Sequence, residues 1–198
     1  MKEFWNERYS EPNFAYGCNP NDFLKQNLFK IKKGKLLFPA EGEGRNAVFA
    51  AQNGFEVEAF DISKSGKEKA DALAKQCNIT INYQVGTLEQ LPYLENSFNG
   101  IILIYAHLPS EIRKDFHKQL MHLVKPGGII LFEAFSKEQL QFTSGGPKNS
   151  VMLFSEEEVK EEFSGLKFEF LSTEIIDLNE GKYHQGRASV VRFIAYKL

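Results

Sequence analysis

From Gly34 onward, short apolar runs alternate with stretches in which apolar positions return every three or four residues. The first pattern reads as buried strands, the second as helices with one apolar face. Strands are predicted at Lys35 to Phe38, Glu56 to Phe60, Thr80 to Gln84, Gly100 to Tyr105 and Gly128 to Ala134. Helices are predicted at Arg45 to Gln52, Lys64 to Cys77 and Ser110 to Leu123. In the last of these, Leu108, Ile112, Phe116, Leu120 and Leu123 or Val124 form one stripe suited to lie against a sheet. The breakers Lys125-Pro126-Gly127-Gly128 end it.

After the fifth strand the rhythm changes. The loop Thr143-Ser144-Gly145-Gly146-Pro147-Lys148 leads to a helix opening at Ser155, with Glu156, Glu157 and Glu158 in its first turn. The runs Lys167 to Leu178 and Ala188 to Tyr196 flank Asn179-Glu180-Gly181-Lys182, which predicts an antiparallel hairpin. The whole pattern predicts an α/β fold: a three-layer sandwich around a seven-stranded, mostly parallel sheet with an antiparallel C-terminal hairpin. Residues 1–34 are aromatic and polar, with a helix start at Asn19-Pro20-Asn21, where Asn caps and Pro suits the first turn. This segment either packs as an extra layer or closes over a ligand as a helical lid.

Composition narrows the picture. A chain of 198 residues suits one domain, 1–198, and its 42% hydrophobic content without a long apolar segment argues against a membrane protein. Met1 to Trp5 has no apolar leader, and Cys18 and Cys77 do not make a disulfide framework, so a reduced cytoplasm is expected. The net charge is -2, with lysines and acids interspersed. No basic stripe is present to meet nucleic-acid phosphates, so a small-molecule acceptor is favoured. A monomer or homodimer is expected, and no metal.

The chemistry gathers after the first strand. Gly42-x-Gly44-x-x-Ala47 fits the dinucleotide fingerprint, and Asp61 follows about 20 residues on, at the end of the second strand. Glycines there allow a tight turn and close approach of backbone to ligand, the following helix offers N–H groups, and the acid can accept both ribose hydroxyls. A nucleotide-like cofactor suits all three.

With three further stretches the chain resembles the class I, Rossmann-like S-adenosylmethionine-dependent methyltransferases. Leu36 to Ala47 is similar to that family's first motif, and Asp61 to its acid after the second strand. Gly86-Thr87-Leu88-Glu89-Gln90-Leu91-Pro92 is similar to its adenine-side loop, Phe98-Asn99-Gly100-Ile101-Ile102 to its fourth strand, and Leu123 to Gly128 to its Leu-Lys-Pro-Gly-Gly turn. Gly44-Arg45-Asn46, Trp5-Asn6-Glu7-Arg8-Tyr9 and Tyr16-Gly17 with Pro20-Asn21 resemble the small tellurite- or thiopurine-type methyltransferases. The resemblance implies S-adenosyl-L-methionine as cofactor, S-adenosyl-L-homocysteine as product, and a small acceptor such as a chalcogen or thiol. It places Ala40, Glu41, Gly42 and Gly44 beneath the methionine part, Asp61 on the ribose, and Thr87 and Leu88 beside the adenine. Asn46, Ile62 and Tyr105 complete the implied cofactor set. The sequence departs from the family at Phe38, where an acid usually ends the first strand, with Glu41 or Glu43 as substitutes. It departs also at Ala40, tolerable on a negative φ, and at Thr87, which leaves a hydroxyl and an N–H for the adenine.

Methyl transfer from a sulfonium is an in-line displacement, served mainly by positioning. A general base matters where the nucleophile carries a proton. The catalytic candidates are His184, His107 and Tyr105, and the substrate-binding candidates Tyr16, Arg45, Lys148 and Arg187. His117 and His122 read as surface or structural residues of their helix. Two rivals remain: a catalytically silent S-adenosylmethionine-binding protein and an NAD(P)-dependent oxidoreductase. The second lacks both spare length and a Tyr-x-x-x-Lys pair.

Overall fold

Leu36, Leu37 and Phe38 alternate between the two faces of strand β1 (Lys35–Pro39), and all three are fully buried. A strand without a solvent face belongs in the middle of a sheet covered on both sides. The computed structural model, which describes residues 1–198, has this arrangement. Seven strands form one sheet: β1, β2 (Glu56–Asp61), β3 (Asn82–Val85), β4 (Phe98–Ile104), β5 (Val124–Phe135), β6 (Leu166–Glu180) and β7 (His184–Lys197). Their order is β3-β2-β1-β4-β5-β7-β6. The first five run parallel, and β7 and β6 close the edge in antiparallel pairing.

Two helical layers cover the sheet. The helices α2 (Asp22–Asn27), α3 (Arg45–Gln52) and α4 (Lys64–Gln76) pack with Leu36, Phe38, Ile102, Leu131 and Ile194 on one face. The helices α5 (Ser110–Leu123) and α6 (Glu156–Glu162) pack with Leu37, Ile101, Leu103, Phe132 and Phe193 on the other. Helix α1 (Lys2–Ser10) lies outside, against α4. The predicted stripe on α5 holds at Phe116, Leu120 and Leu123, whereas Ile112 is exposed.

The Lys125-Pro126-Gly127-Gly128 stretch does not separate helix from strand as the breakers suggested. Strand β5 begins at Val124, which pairs with Phe98, and regular pairing resumes at Gly100 with Ile129. The breakers form an irregularity inside the strand, where Pro126 has no N–H to donate and Gly127 takes φ 75. No helix is long and apolar enough to cross a membrane.

Candidate active site

The sheet order reverses between β1 and β4, and the crevice at the carboxyl ends of such strands is where open parallel sheets bind ligands. The loop from Ala40 to Gly44 borders it. Ala40, Gly42 and Gly44 are all left-handed, with φ 52, 64 and 86. A Cβ at Gly42 would stand 2.5 Å from Tyr9 Oη, and one at Gly44 2.5 Å from Ala70 Cβ, so the second glycine lets α3 and α4 meet. The expectation for Ala40 is corrected: its φ is positive, a conformation that costs an L-residue about 1–2 kcal/mol.

Asp61, at the end of β2, secures this loop. Its Oδ2 accepts from Gly42 N–H at 3.0 Å and its Oδ1 from Ser63 N–H at 2.8 Å. Each oxygen keeps a second lone pair for a ligand hydroxyl. Burial pushes the carboxyl up to about 6, against the downward pull of the backbone N–H groups.

Glu41 plays an unexpected part. Its Oε1 accepts from Asn46 N–H and Ala47 N–H at 2.9 and 2.8 Å, in the first turn of α3. The N–H groups that the sequence offers to a ligand there are therefore capped from within the chain. Burial pushes the Glu41 carboxyl up to about 8. The folded state thus holds a proton that the unfolded chain releases near the ordinary glutamate value, and stability falls as pH rises from about 4.5 to about 8. Glu41→Gln keeps the accepting oxygen and removes the ionisation. Its melting temperature should lie close to the parent's at pH 5 and exceed it at pH 8, by an amount worth about 3–4 kcal/mol. A difference independent of pH would refute this.

The N-terminal segment lies across the loop as an added layer. Asn6 Oδ1 accepts from Ser63 Oγ and Lys64 N–H, just beyond Asp61. Trp5 stacks on Tyr9, whose hydroxyl abuts Gly42. Glu43 accepts from Ala15 N–H and Lys69 Nζ, both at 2.7 Å. Asn21 N–H donates to Asn46 Oδ1 at 2.9 Å. The same segment reaches the β6–β7 turn. Lys182 N–H donates to Ala15 O, the Arg8 guanidinium lies 3.7 Å from the Tyr183 ring centroid, and Glu11 accepts from Lys182 Nζ and the Tyr183 hydroxyl. Gly181 is required here, since a Cβ would meet Ala15 O and Gly17 N at 2.5 Å.

Beside the loop lies an aromatic cluster. The His184 ring is 4.5 Å from Tyr16, 4.7 Å from Tyr105 and 5.1 Å from Phe135, centroid to centroid. Glu180 Oε2 accepts from Arg45 Nη2 at 2.9 Å and from His184 Nδ1 at 3.1 Å, while its Oε1 accepts from Asn21 Nδ2 at 3.3 Å. Burial alone would raise the Glu180 carboxyl, but the His184 bond and the Arg45 guanidinium bring it down to about 2. Burial lowers the His184 imidazole against the upward pull of Glu180. Tyr105 takes φ 54, and its buried hydroxyl has no hydrogen-bond partner. Burial and the Glu133 and Glu180 carboxylates push that phenol well up, so it remains a donor. Glu133, fully buried, accepts from Asn21 Nδ2 at 2.6 Å and pairs with Arg192.

Among the sequence candidates, Tyr16, Tyr105, Arg45 and His184 come together here. Other candidates are corrected. His107 cannot take a proton: its Nδ1 bonds Met152 O at 2.8 Å, its Nε2 accepts from Phe135 N–H, and burial lowers it to about 4. Lys148 and Arg187 are exposed, and Lys148 Nζ turns to Phe142 O. The Asn46 side chain is committed to Asn21, and Arg45, though it belongs to the cluster, spends its guanidinium on Glu180. Thr87 N–H is taken by Gln90 Oε1, and Leu88 is buried in the core with Phe60 and Leu37. Ile62 is half-buried beside Asp61. The sequence reading missed Asn6, Tyr9, Asn21, Glu133 and Glu180. Glu133 carried a signal, being an acid inside the apolar run Ile129 to Phe135, and so did the pair Glu180 and His184 across a turn.

The chain is similar to known methyltransferases in part of its sequence and in its fold. A family model described as a methyltransferase domain matches residues 39–128. The chain is 28% identical over 124 residues to a ubiquinone biosynthesis O-methyltransferase of Rickettsia prowazekii, covering 62% of this chain and 48% of that protein. It therefore spans about half the length of the curated relatives it matches. Among solved structures, a protein described for conversion of a disulfide bond into a thioacetal group in echinomycin biosynthesis superposes with TM-score 0.81 at 14% identity, over 100% of this chain and 91% of that one. TehB from Haemophilus influenzae superposes with TM-score 0.72 at 17% identity, over 100% and 67%. A methyltransferase dependent on S-adenosylmethionine from Anabaena variabilis gives TM-score 0.70 at 16% identity, over 100% and 93%.

Proposed function

We propose, on the premise that residues 39–128 are a methyltransferase domain in the fold of the class I S-adenosylmethionine-dependent methyltransferases, that this chain methylates a small molecule carrying a thiol. The observation that carries the reading is the Asp61 carboxylate, fixed by Gly42 and Ser63 N–H groups beside a left-handed glycine loop at the point where the sheet order reverses. When bound, S-adenosylmethionine supplies an electrophilic methyl group.

The residues present fit such a group. Asp61 has lone pairs left for two ribose hydroxyls, and Gly42 presents no side chain where its backbone meets Tyr9. The unpartnered Tyr105 hydroxyl is a donor in search of an acceptor, and an unmet buried donor costs about 1–3 kcal/mol. Residues 1–34 act as a lid that excludes water and moves aside for entry. His184 takes the acceptor proton. A sulfur acceptor is supported by the solved relative described for disulfide chemistry, and the relatives named O-methyltransferases make a hydroxyl the competing acceptor.

Binding to the folded state raises the melting temperature, by an amount worth about 2.7 kcal/mol at a hundredfold excess over Kd. S-adenosylhomocysteine is expected to raise it and NADH to leave it unchanged. A rise with NADH alone would return the oxidoreductase. Binding of S-adenosylhomocysteine without methyl transfer to any thiol or phenol would favour a silent binding protein.

A further inference from the structure

We propose that Glu180 is the positioning residue that makes His184 the general base for a protic acceptor, and that Arg45 joins this pair to the cofactor loop. The inference deepens the methyltransferase reading and rests on it.

The four histidines of the chain provide an internal comparison. His107 uses both ring nitrogens on backbone groups. His117 donates from Nδ1 to Glu162, and its Nε2 is sealed among Phe132, Phe154 and Phe163. His122 is exposed on α5. His184 alone combines a fixed Nδ1 with an Nε2 that no protein group engages, beside the crevice. An ionised carboxylate can only accept, so Nδ1 carries the hydrogen and Nε2 presents its lone pair. The ring cannot turn away, because Tyr16, Tyr105 and Phe135 pack around it and Gly145 leaves no room for a Cβ, which would lie 2.7 Å from His184 Cδ2.

Arg45 gives the arrangement its connection. It is the first residue of α3, directly after Gly44, and its guanidinium bonds the Glu180 oxygen that also receives His184. Movement of the loop is therefore transmitted to the base. In the reaction, the acceptor S–H or O–H proton passes to Nε2 as the heteroatom lone pair forms the bond to the methyl carbon. The electron pair of the breaking carbon–sulfur bond stays on sulfur, which leaves as a thioether. The imidazolium so formed is balanced by Glu180. Its titration is set by burial, Glu180 on β6, Arg45 on α3 and Arg8 on α1, and the other titratable groups that face it are Tyr16 before α2, Tyr105 after β4 and His107 beyond Phe135.

The test compares the parent chain with Glu180→Gln, Glu180→Asp and His184→Gln. Melting with and without S-adenosylhomocysteine checks that each folds and binds. Methyl transfer is followed with 2-mercaptoethanol, whose thiol is protonated at neutral pH, and with 4-nitrothiophenol, which is already a thiolate. His184→Gln should lower kcat for 2-mercaptoethanol by about 10²-fold or more. Glu180→Gln should lower it by about tenfold, with KM for S-adenosylmethionine unchanged, and Glu180→Asp should recover most of that loss. Each loss should be several-fold smaller with 4-nitrothiophenol, whose attack needs no base. Imidazole NMR should show His184 protonated at Nδ1 in the parent, with its pKa falling in Glu180→Gln as the carboxylate charge is lost.

An Nε2–H tautomer in the parent, or equal losses on both thiols, would overturn the proposal. So would an unchanged kcat in Glu180→Gln. Failure of S-adenosylhomocysteine to bind any of these chains would instead remove the parent reading, and the NMR tautomer would still decide the pair.

Discussion

Asp61→Ala is expected to weaken S-adenosylhomocysteine binding by about 10²-fold or more in calorimetry. A hydrogen bond to a charged group contributes about 1.5–3 kcal/mol, and Asp61 has one lone pair on each oxygen left for a ribose hydroxyl. Two such bonds amount to at least two factors of ten at about 1.4 kcal/mol each. Asp61 also holds Gly42 and Ser63, so its loss frees the loop as well. The ionised carboxylate is the form that accepts two hydroxyls, and the folded carboxyl titrates at about 6. Affinity in the parent chain should thus be level above pH 7 and fall below pH 6. Unchanged affinity in Asp61→Ala, at any pH, would remove the cofactor assignment.

A comparable loss, this time of stability, is expected from Arg192→Met. Arg192 pairs with Glu133, whose side chain is wholly shielded from solvent, and with Glu174 at 2.8 Å. Methionine retains an apolar stem against Phe23, over which the guanidinium lies at 5.0 Å, but leaves Glu133 with only Asn21. Removing one partner of a buried pair costs about 3–5 kcal/mol, because an uncompensated charge remains. For a chain of this length that is a fall of roughly 10 °C in melting temperature. Adding Glu133→Gln should restore most of it, since Gln is neutral and still accepts from Asn21. If the double variant melts no higher than the single one, the loss comes from packing and not from the stranded carboxylate.

The middle of the sheet was readable from local pattern because β1, β4 and β5 are apolar runs beside breakers, and its edge because β6 alternates polar and apolar residues up to a turn. Helices α3 and α5 fall where their periodicity puts them, and the hairpin turns where Asn179 to Lys182 predicted. The glycine loop and Asp61 were readable for the same reason: they are local, and they sit next to a strand end. The site's other half was not. Asn21 meets Glu133 and Glu180 at sequence separations of 112 and 159, and Arg45 meets Glu180 at 135. No spacing rule reaches across such distances. The lysine and arginine expected to face a substrate, Lys148 and Arg187, were read from their place in loops, and loops expose polar side chains whether or not they bind anything. His107 shows the opposite error, a titratable group at a strand end that the scaffold consumes.

The contacts between residues 8–21 and the β6–β7 turn also bear on the order in which the site is completed. Part of the segment made first by the ribosome waits for partners made near the end, as Glu11 does for Lys182 and Tyr183. A nascent chain halted just before β7 contains the whole glycine loop and Asp61, with Asn6, Ala15 and Asn21 already bonded to Ser63, Glu43 and Asn46, yet lacks His184 and the second anchor for its own beginning. Contacts of such long range close late in folding. Synthesis itself therefore acts as a timer for the last wall of the crevice, which is in place only once the hairpin has emerged.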